Sequence, residues 1–363
     1  MEKIKVLIVE DSAFMRKLIT EFLSEEDRIE VIGTARNGEE ALKKIEEHKP
    51  DVITLDVEMP VMNGLEALKI IMEKFPTPVI MLSSTTREGT DSTFTAMNMG
   101  AFDFVAKPSG SISLDLHKIK QVLIEKIIAA SKTSVHRLQK SYINVEISVS
   151  DRNKYSKIES ETKKSNNFKN WNSSKKKLIV IGTSTGGPRA LQAVLTRLPE
   201  NLEAPVLIVQ HMPAGFTKSL ADRLNGLSAI TVKEAEDGEV LHIGTAYIAP
   251  GGYHLKVKKM GMNLAVSLDK SEPRGGHRPS VDVLFESVSE FPEFNKVAVI
   301  MTGMGSDGSK GLIQLKNKGD VKAIAESQET SIVFGMPKAA IATNLVDSVE
   351  DIDKIAKTIV TFC

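Results

Sequence analysis

The chain has 363 residues, which at roughly 150 residues per domain predicts two domains, either large enough to bury its own core. Its 47 Lys and Arg balance 47 Asp and Glu, so neither a nucleic-acid-coating surface nor an acidic tail dominates. The only cysteine, Cys363, excludes an internal disulfide framework and a metal site built from several thiolates, and it fits a reducing compartment. The apolar run near the amino terminus is far shorter than the roughly 20 residues that span a bilayer. No signal peptide, membrane insertion or nucleic-acid partner is expected, and the predicted location is cytoplasmic.

In chain order, residues 5–10, 30–35, 51–56, 78–84 and 103–108 read as five short strands, rich in Val and Ile and apolar on both faces. Helical periodicity separates them; Phe14, Leu18 and Phe22 recur every fourth residue, with Ser12 as a candidate N-cap. This βα alternation predicts a parallel sheet whose ligand site lies at the carboxyl ends of its strands. From about residue 131 to 177 the periodicity disappears into Ser, Asn and Lys, and a solvated tether is expected there, with Trp171 marking a docking point. The βα pattern resumes at residues 178–182, 205–210, 297–301 and 321–325. Short alternating runs between about residues 231 and 267 predict antiparallel hairpins at an edge of the second sheet, among them Ala246-Tyr247-Ile248. The expected fold class is therefore α/β, with two doubly wound parallel-sheet domains: residues 1–128, a linker at 129–176, and residues 177–363.

In the first domain, Glu10-Asp11 end the first strand and Asp56 the third, so adjacent parallel strands would gather three carboxylates at one rim. Clustered acids need a cation, and hard oxygen ligands without His or Cys favour Mg²⁺. An Asp in such a setting can accept a phosphoryl group as an acyl phosphate, with Lys107 screening the charge and Ser83 or Ser84 meeting the new oxygens. These residues, with Met59-Pro60, Asn63-Gly64 and Phe104-Val105-Ala106-Lys107-Pro108, resemble the receiver domain of bacterial response regulators. The resemblance implies a flavodoxin-like fold, phosphorylation of Asp56 by a histidine kinase, Mg²⁺ on Glu10, Asp11 and Asp56, and a relay through Ser83, Phe104 and Lys107. The sequence has Glu-Asp where many such domains carry Asp-Asp, and Ser where Thr is common; neither change removes a needed group.

In the second domain, Gly182-Thr183-Ser184-Thr185-Gly186-Gly187-Pro188 follows a buried-type strand and opens a helix. The turn fits G-x-S-x-G, which exposes a nucleophilic serine, and equally a phosphate cradle at a helix N-terminus. A serine nucleophile needs a base, and His211 ends the next strand; Asp307, after a third strand, would orient it beside a glycine-rich backbone able to donate N–H groups to an oxyanion. The order Ser, His, Asp differs from that of α/β-hydrolases. These segments, with Gly275-Gly276-His277-Arg278-Pro279-Ser280-Val281-Asp282, resemble the catalytic domain of chemotaxis protein-glutamate methylesterases of the CheB type. The resemblance implies Ser184 as nucleophile, His211 as general base and Asp307 as its orienter. It further implies Thr185 and the Met304 N–H at the oxyanion, His277 lining the cleft, and no cofactor for ester hydrolysis.

The expected function is phosphorylation-activated hydrolysis of glutamate γ-methyl esters on methyl-accepting chemoreceptors, releasing methanol, with receptor glutamine deamidation as a related acyl transfer. The expected partners are a chemotaxis histidine kinase as phosphodonor and the receptors as substrate. The alternative is a response regulator whose second domain only binds.

Overall fold

The computed structural model describes residues 2–107, 114–133 and 175–363. Pro108 and nearly all of the expected linker, including Trp171, lie outside the described residues. The chain divides into two compact units, each with its own parallel sheet.

The amino-terminal sheet has β1 (Ile4–Val9), β2 (Ile29–Ala35), β3 (Val52–Asp56), β4 (Val79–Ser83) and β5 (Asp103–Ala106), in the order β2-β1-β3-β4-β5. Every pairing is parallel, giving the flavodoxin-like doubly wound order with its switch point between β1 and β3. Val6, Leu7, Ile8 and Val9 are fully buried, as a strand covered by helices on both faces requires. Ser12 caps the helix Ala13–Ser24 by accepting the Met15 N–H, as its position predicts. Asn63 and Glu66 form a capping box on the helix Gly64–Lys74. A β-carbon on Gly64 would fall 2.0 Å from the Asp56 carbonyl oxygen, so only glycine lets this helix start so close to the end of β3. The last helix described in this unit, Leu114–Ala130, runs past the boundary expected at residue 128.

The carboxyl-terminal unit is built on seven strands: β6 (Lys177–Thr183), β7 (Val206–Gln210), β8 (Thr231–Glu234), β9 (Thr245–Ile248), β12 (Asn295–Ile300), β13 (Val321–Glu326) and β14 (Ser348–Glu350). Their order is β14-β13-β12-β6-β7-β9-β8, again parallel throughout. The predicted hairpin is present as β10 (His254–Met260) and β11 (Asn263–Asp269), antiparallel across Gly261-Met262. It forms a two-stranded sheet of its own. Ala246-Tyr247-Ile248 differs from expectation, since it pairs in parallel with β7 and β8. All three residues are buried, and so short a run looks alike in either sheet type; the direction of pairing is set by contacts distant in sequence. Among the described residues no helix is long and apolar enough to cross a membrane.

The end of β13 carries a buried acid. Glu326 accepts the Thr302 N–H (2.7 Å) and the Thr330 hydroxyl (3.0 Å). Burial raises its pKa from 4.5 to about 7, with the negative charge of Asp351 adding to the rise and the two hydrogen bonds opposing it. In the unfolded chain the group ionises near its ordinary value, so the folded state holds an extra proton between about pH 4.5 and 7. Its contribution to stability therefore falls as pH rises through that window and is level above it. Denaturation of the wild type and Glu326→Gln across this range should show a stability difference that moves in favour of the variant with rising pH; a difference independent of pH would contradict the assignment.

Candidate active site and phosphoacceptor pocket

In the amino-terminal unit, β1 and β3 are direct neighbours, and oxygen atoms of Glu10, Asp11 and Asp56 lie within 4.8 Å of one another. Glu10 and Asp56 are buried and Asp11 is exposed. Lys107, following β5, reaches into the cluster, with Nζ 2.7 Å from Asp56 Oδ2 and 2.9 Å from Glu10 Oε2. Burial and the charge of Asp56 push Glu10 up to about 7 despite the lysine. Burial likewise raises Asp56, against the hydrogen bond and charge of Lys107. Burial disfavours the Lys107 ammonium, but its bonds to the two acids win and raise its pKa. One cation thus faces more carboxylates than it can neutralise. Glu10 Oε2 and Asp56 Oδ2 are buried and share the one Lys107 ammonium. An all-oxygen set with unsatisfied lone pairs fits a hard divalent cation.

The other predicted members of this pocket are placed unevenly. Ser83 is buried and its hydroxyl donates to the carbonyls of Ser84 (3.1 Å) and Gly89 (3.0 Å), the latter in the helix Arg87–Asn98. Ser84 Oγ instead bonds Thr86 Oγ1. Phe104 is buried, with Lys126 Nζ 5.4 Å from its ring centroid. A cavity of about 590 Å³ opens beside Asp11, lined by Met59, Pro60 and Asn63 among others.

In the carboxyl-terminal unit, β12, β6 and β7 are consecutive in the sheet, so the segments leaving their carboxyl ends emerge side by side. Ser184 follows β6; its N–H donates to the Thr302 carbonyl beyond β12 (3.0 Å). The His211 N–H donates to the Thr183 carbonyl (3.2 Å). Gly186, at φ 79°, turns the chain into the helix Gly187–Leu195. A β-carbon on Gly303 would lie 2.7 Å from the Ser184 β-carbon, so glycine at 303 permits the approach of the two segments. These contacts bring the backbones at Ser184, His211 and Thr302-Gly303-Met304 to one rim.

His211 Nε2 lies 2.8 Å from Asp307 Oδ2. Its Nδ1 is buried and has no hydrogen-bond partner, so no bond joins it to Ser184 Oγ. The His277 ring stacks on that of His211 with centroids 3.9 Å apart and planes 8° off parallel. Burial, followed by the neighbouring His211 charge, lowers His277 to about 4, so it is a neutral face against which His211 packs at neutral pH. The Arg274 and His277 backbones exchange two hydrogen bonds of 3.0 Å across Gly275-Gly276, both at positive φ, which fixes the loop that presents His277.

Asp307 accepts three further hydrogen bonds from the protein besides that of Gly308 N–H at 3.1 Å and the histidine contact. Ser280 Oγ (2.9 Å) and the Asp282 N–H (2.9 Å) reach Oδ1, and the Val281 N–H (2.7 Å) reaches Oδ2. Ser280-Val281-Asp282 begin the helix Val281–Ser289, whose free N–H groups favour an anion. Burial would raise the carboxyl, but the bond and charge of His211 and these backbone donors outweigh it and hold Asp307 at about 2. Asp282 returns the arrangement: its Oδ1 accepts the N–H groups of Gly308 (2.9 Å) and Gly311 (2.7 Å), which open the helix Ser309–Lys318. Burial and the nearby Asp307 charge raise the Asp282 pKa.

Thr185 is buried, and its carbonyl accepts the Thr302 hydroxyl (2.9 Å). The turn after Thr302 is held by a second strap: Gly303 N–H donates to Val333 O (3.0 Å), and the Gly335 and Met336 N–H groups donate to Gly303 O (3.1 and 2.8 Å). The Met304 N–H donates to no group among the described residues. Asp282, Gln210, Glu326 and Thr302 join the site without a role predicted for them from the sequence. Each lies inside or beside a motif already singled out, but its partner is distant in sequence.

Residues 179–359 match the CheB methylesterase family, and residues 6–118 match the response regulator receiver domain family. A protein-glutamate methylesterase/protein-glutamine glutaminase of Geobacillus kaustophilus is 57% identical over 360 residues, covering 99% of both chains. One from Bacillus subtilis is 53% identical over 356 residues, covering 98% of this chain and 97% of its own. The crystal structure of the Thermotoga maritima CheB methylesterase catalytic domain aligns with a TM-score of 0.50 at 46% identity, over 52% of this chain and 98% of that one. A purely binding output domain is not favoured by these relatives. The chain belongs to the CheB methylesterase family, with a response regulator receiver domain ahead of the methylesterase domain.

Proposed function

We propose that this enzyme hydrolyses glutamate γ-methyl esters on methyl-accepting chemoreceptors, releasing methanol, and that a chemotaxis histidine kinase sets its rate by phosphorylating Asp56. The observation that carries the hydrolytic half is the bonded His211–Asp307 pair at the rim where the Ser184 backbone emerges. Ser184 Oγ attacks the ester carbonyl and His211 takes its proton. Because Asp307 engages Nε2, the ring nitrogen left for that proton is Nδ1. Asp307, ionised through the working range, stabilises the resulting imidazolium and fixes the ring. The Met304 N–H, uncommitted among the described residues, supplies an oxyanion donor on a turn held by Gly303 and Thr302, with Thr185 completing that wall. His211 then returns the proton to the departing methoxide, and water attacks the acyl-enzyme to restore the glutamate carboxylate and free Ser184. A glutamine side chain would follow the same route with ammonia leaving in place of methanol, in line with the glutaminase named in the relatives.

In the receiver, an Asp56 oxygen attacks the phosphorus of the kinase phosphohistidine, the P–N bond breaks to release the kinase histidine, and Asp56 becomes an acyl phosphate. Glu10, Asp11 and Asp56 would hold Mg²⁺, which supplies positive charge to the transferring phosphoryl oxygens. Lys107 already bonds Asp56 and keeps its charge beside the new anion. For Ser83 to meet a phosphoryl oxygen, its hydroxyl must release the Gly89 carbonyl, which frees the start of the helix Arg87–Asn98. That exchange of one hydrogen bond for another, with buried Phe104 as the further member of the relay, is a local device for changing the receiver surface.

Ser184→Ala should cut methanol release from methylated receptor by about 10³-fold or more. Release that persists at the wild-type rate would remove Ser184 as nucleophile. With acetyl phosphate as a small phosphodonor, the wild type should be stimulated and Asp56→Asn should not respond. Stimulation that survives in Asp56→Asn would place the phosphoacceptor elsewhere.

A further inference from the structure

The last rung of the β6–β7 ladder is the bond from the His211 N–H to the Thr183 carbonyl. Beyond it the chain at Ser184 turns away into its helix, and backbone pairing between the two segments ends. The side chain of Gln210 takes over there. It is 2% exposed, and its Nε2 donates to the Ser184 carbonyl (2.9 Å) and to the His211 carbonyl (3.2 Å). Its Oε1 accepts the Thr183 hydroxyl (2.7 Å). The amide orientation is set by these partners, since the reverse would point one carbonyl oxygen at two others. Space has been cleared for it: a β-carbon on Gly187 would fall 1.9 Å from Gln210 Oε1. The second glycine of Gly186-Gly187 is thus explained by the amide it must admit rather than by its own backbone angles.

We infer that Gln210 is a positioning residue that ties the nucleophile turn to the histidine-bearing turn and so sets the relation between Ser184 and His211. Ser184 is pinned on the β12 side through its N–H, to the Thr302 carbonyl, and on the β7 side through its carbonyl, to Gln210. Two fixed peptide planes leave the Cα–Cβ direction of Ser184 little freedom. The same amide fixes the peptide plane leaving His211. No side chain among the other bonds of the site reaches both residues. Gln210 bonds the two backbones rather than the reacting side chains, and a misplacement of about 1 Å at a nucleophile–base pair costs about 100-fold in rate.

This inference rests on the esterase reading, and the experiment separates the two. Methanol release by the full chain with acetyl phosphate is compared for wild type, Gln210→Met, which keeps length and removes all three hydrogen bonds, and Gln210→Glu, which keeps the acceptor for Thr183 and removes both donors. A wild type that releases no methanol would count against the esterase reading. Reaction of Ser184 with a phenylmethanesulfonyl fluoride probe, which requires no receptor, still tests the positioning. Both variants should lose about 10- to 100-fold in kcat with KM within about twofold, and sulfonylation should slow in parallel. Unchanged kcat and sulfonylation in a variant that melts near the wild type would overturn the inference, as would a rise in KM alone. The wild type supplies a check independent of variant folding. With ¹⁵N-glutamine labelling, the Gln210 side-chain NH₂ should be protected from solvent exchange and should shift when Ser184 is sulfonylated; a freely exchanging, unresponsive amide would overturn it.

Discussion

A buried carboxylate is tolerated only when its charge is met by donors, and Asp307 is the group around which the hydrolytic domain meets that demand. It gathers the N-terminus of the helix Val281–Ser289, the Ser280 hydroxyl and the His211 ring onto two oxygens. Asp282 performs the same service for the helix Ser309–Lys318, so two helices each lend an acid to the other's free N–H groups. This exchange locks the loop after β12 against the segment carrying His277. Removing either acid would strand buried donors as well as change the chemistry, which makes the site as much a structural joint as a reactive one.

The two domains place their functional groups by one rule and charge them in opposite ways. Parallel strands that neighbour one another deliver their carboxyl ends to a common rim, β1 and β3 in one sheet and β12, β6 and β7 in the other. In the receiver, the acids outnumber the cation that meets them, and Glu10 rises to about 7. In the hydrolytic domain Asp307 itself meets an excess of donors and falls to about 2. The first arrangement is short of positive charge and suits recruitment of a cation and a phosphoryl group; the second is complete and suits holding a base. The distinction lies in the ratio of donors to carboxylates, since Glu10, Asp56 and Asp307 are all shielded from solvent.

Much of this was legible in the sequence. Uninterrupted Val and Ile runs marked the central strands, and a polar residue directly after each run marked the rim, which is why Glu10, Asp56, Ser184 and His211 were identifiable before any contact was known. Ser12 as a cap was legible from the helical periodicity that follows it. What was not legible depends on pairing across long separations. The run at Ala246-Tyr247-Ile248 is too short for its pattern to tell one sheet type from the other, and its parallel place between β7 and β8 follows from contacts remote in sequence. Glu326 is a lone acid at the end of a strand until Thr302, 24 residues earlier, is seen to donate to it. Gln210 read as strand until its amide was seen to bridge Ser184 and His211, and Asp282 was only the last residue of a motif until Gly308 and Gly311 were seen to donate to it. Hydrogen-bond partners of buried polar side chains are fixed by the fold, and periodicity carries no signal for them.

The central claim is that Ser184 carries the acyl group during turnover. Rapid acid quench of the phosphodonor-treated enzyme with methylated receptor, followed by peptide mass analysis, tests it most directly. The account predicts a receptor glutamyl adduct on the peptide containing Ser184, formed with the first burst of methanol and absent when the receptor is unmethylated. Methanol released at full rate with no adduct on that peptide, or with the adduct on another residue, would contradict it.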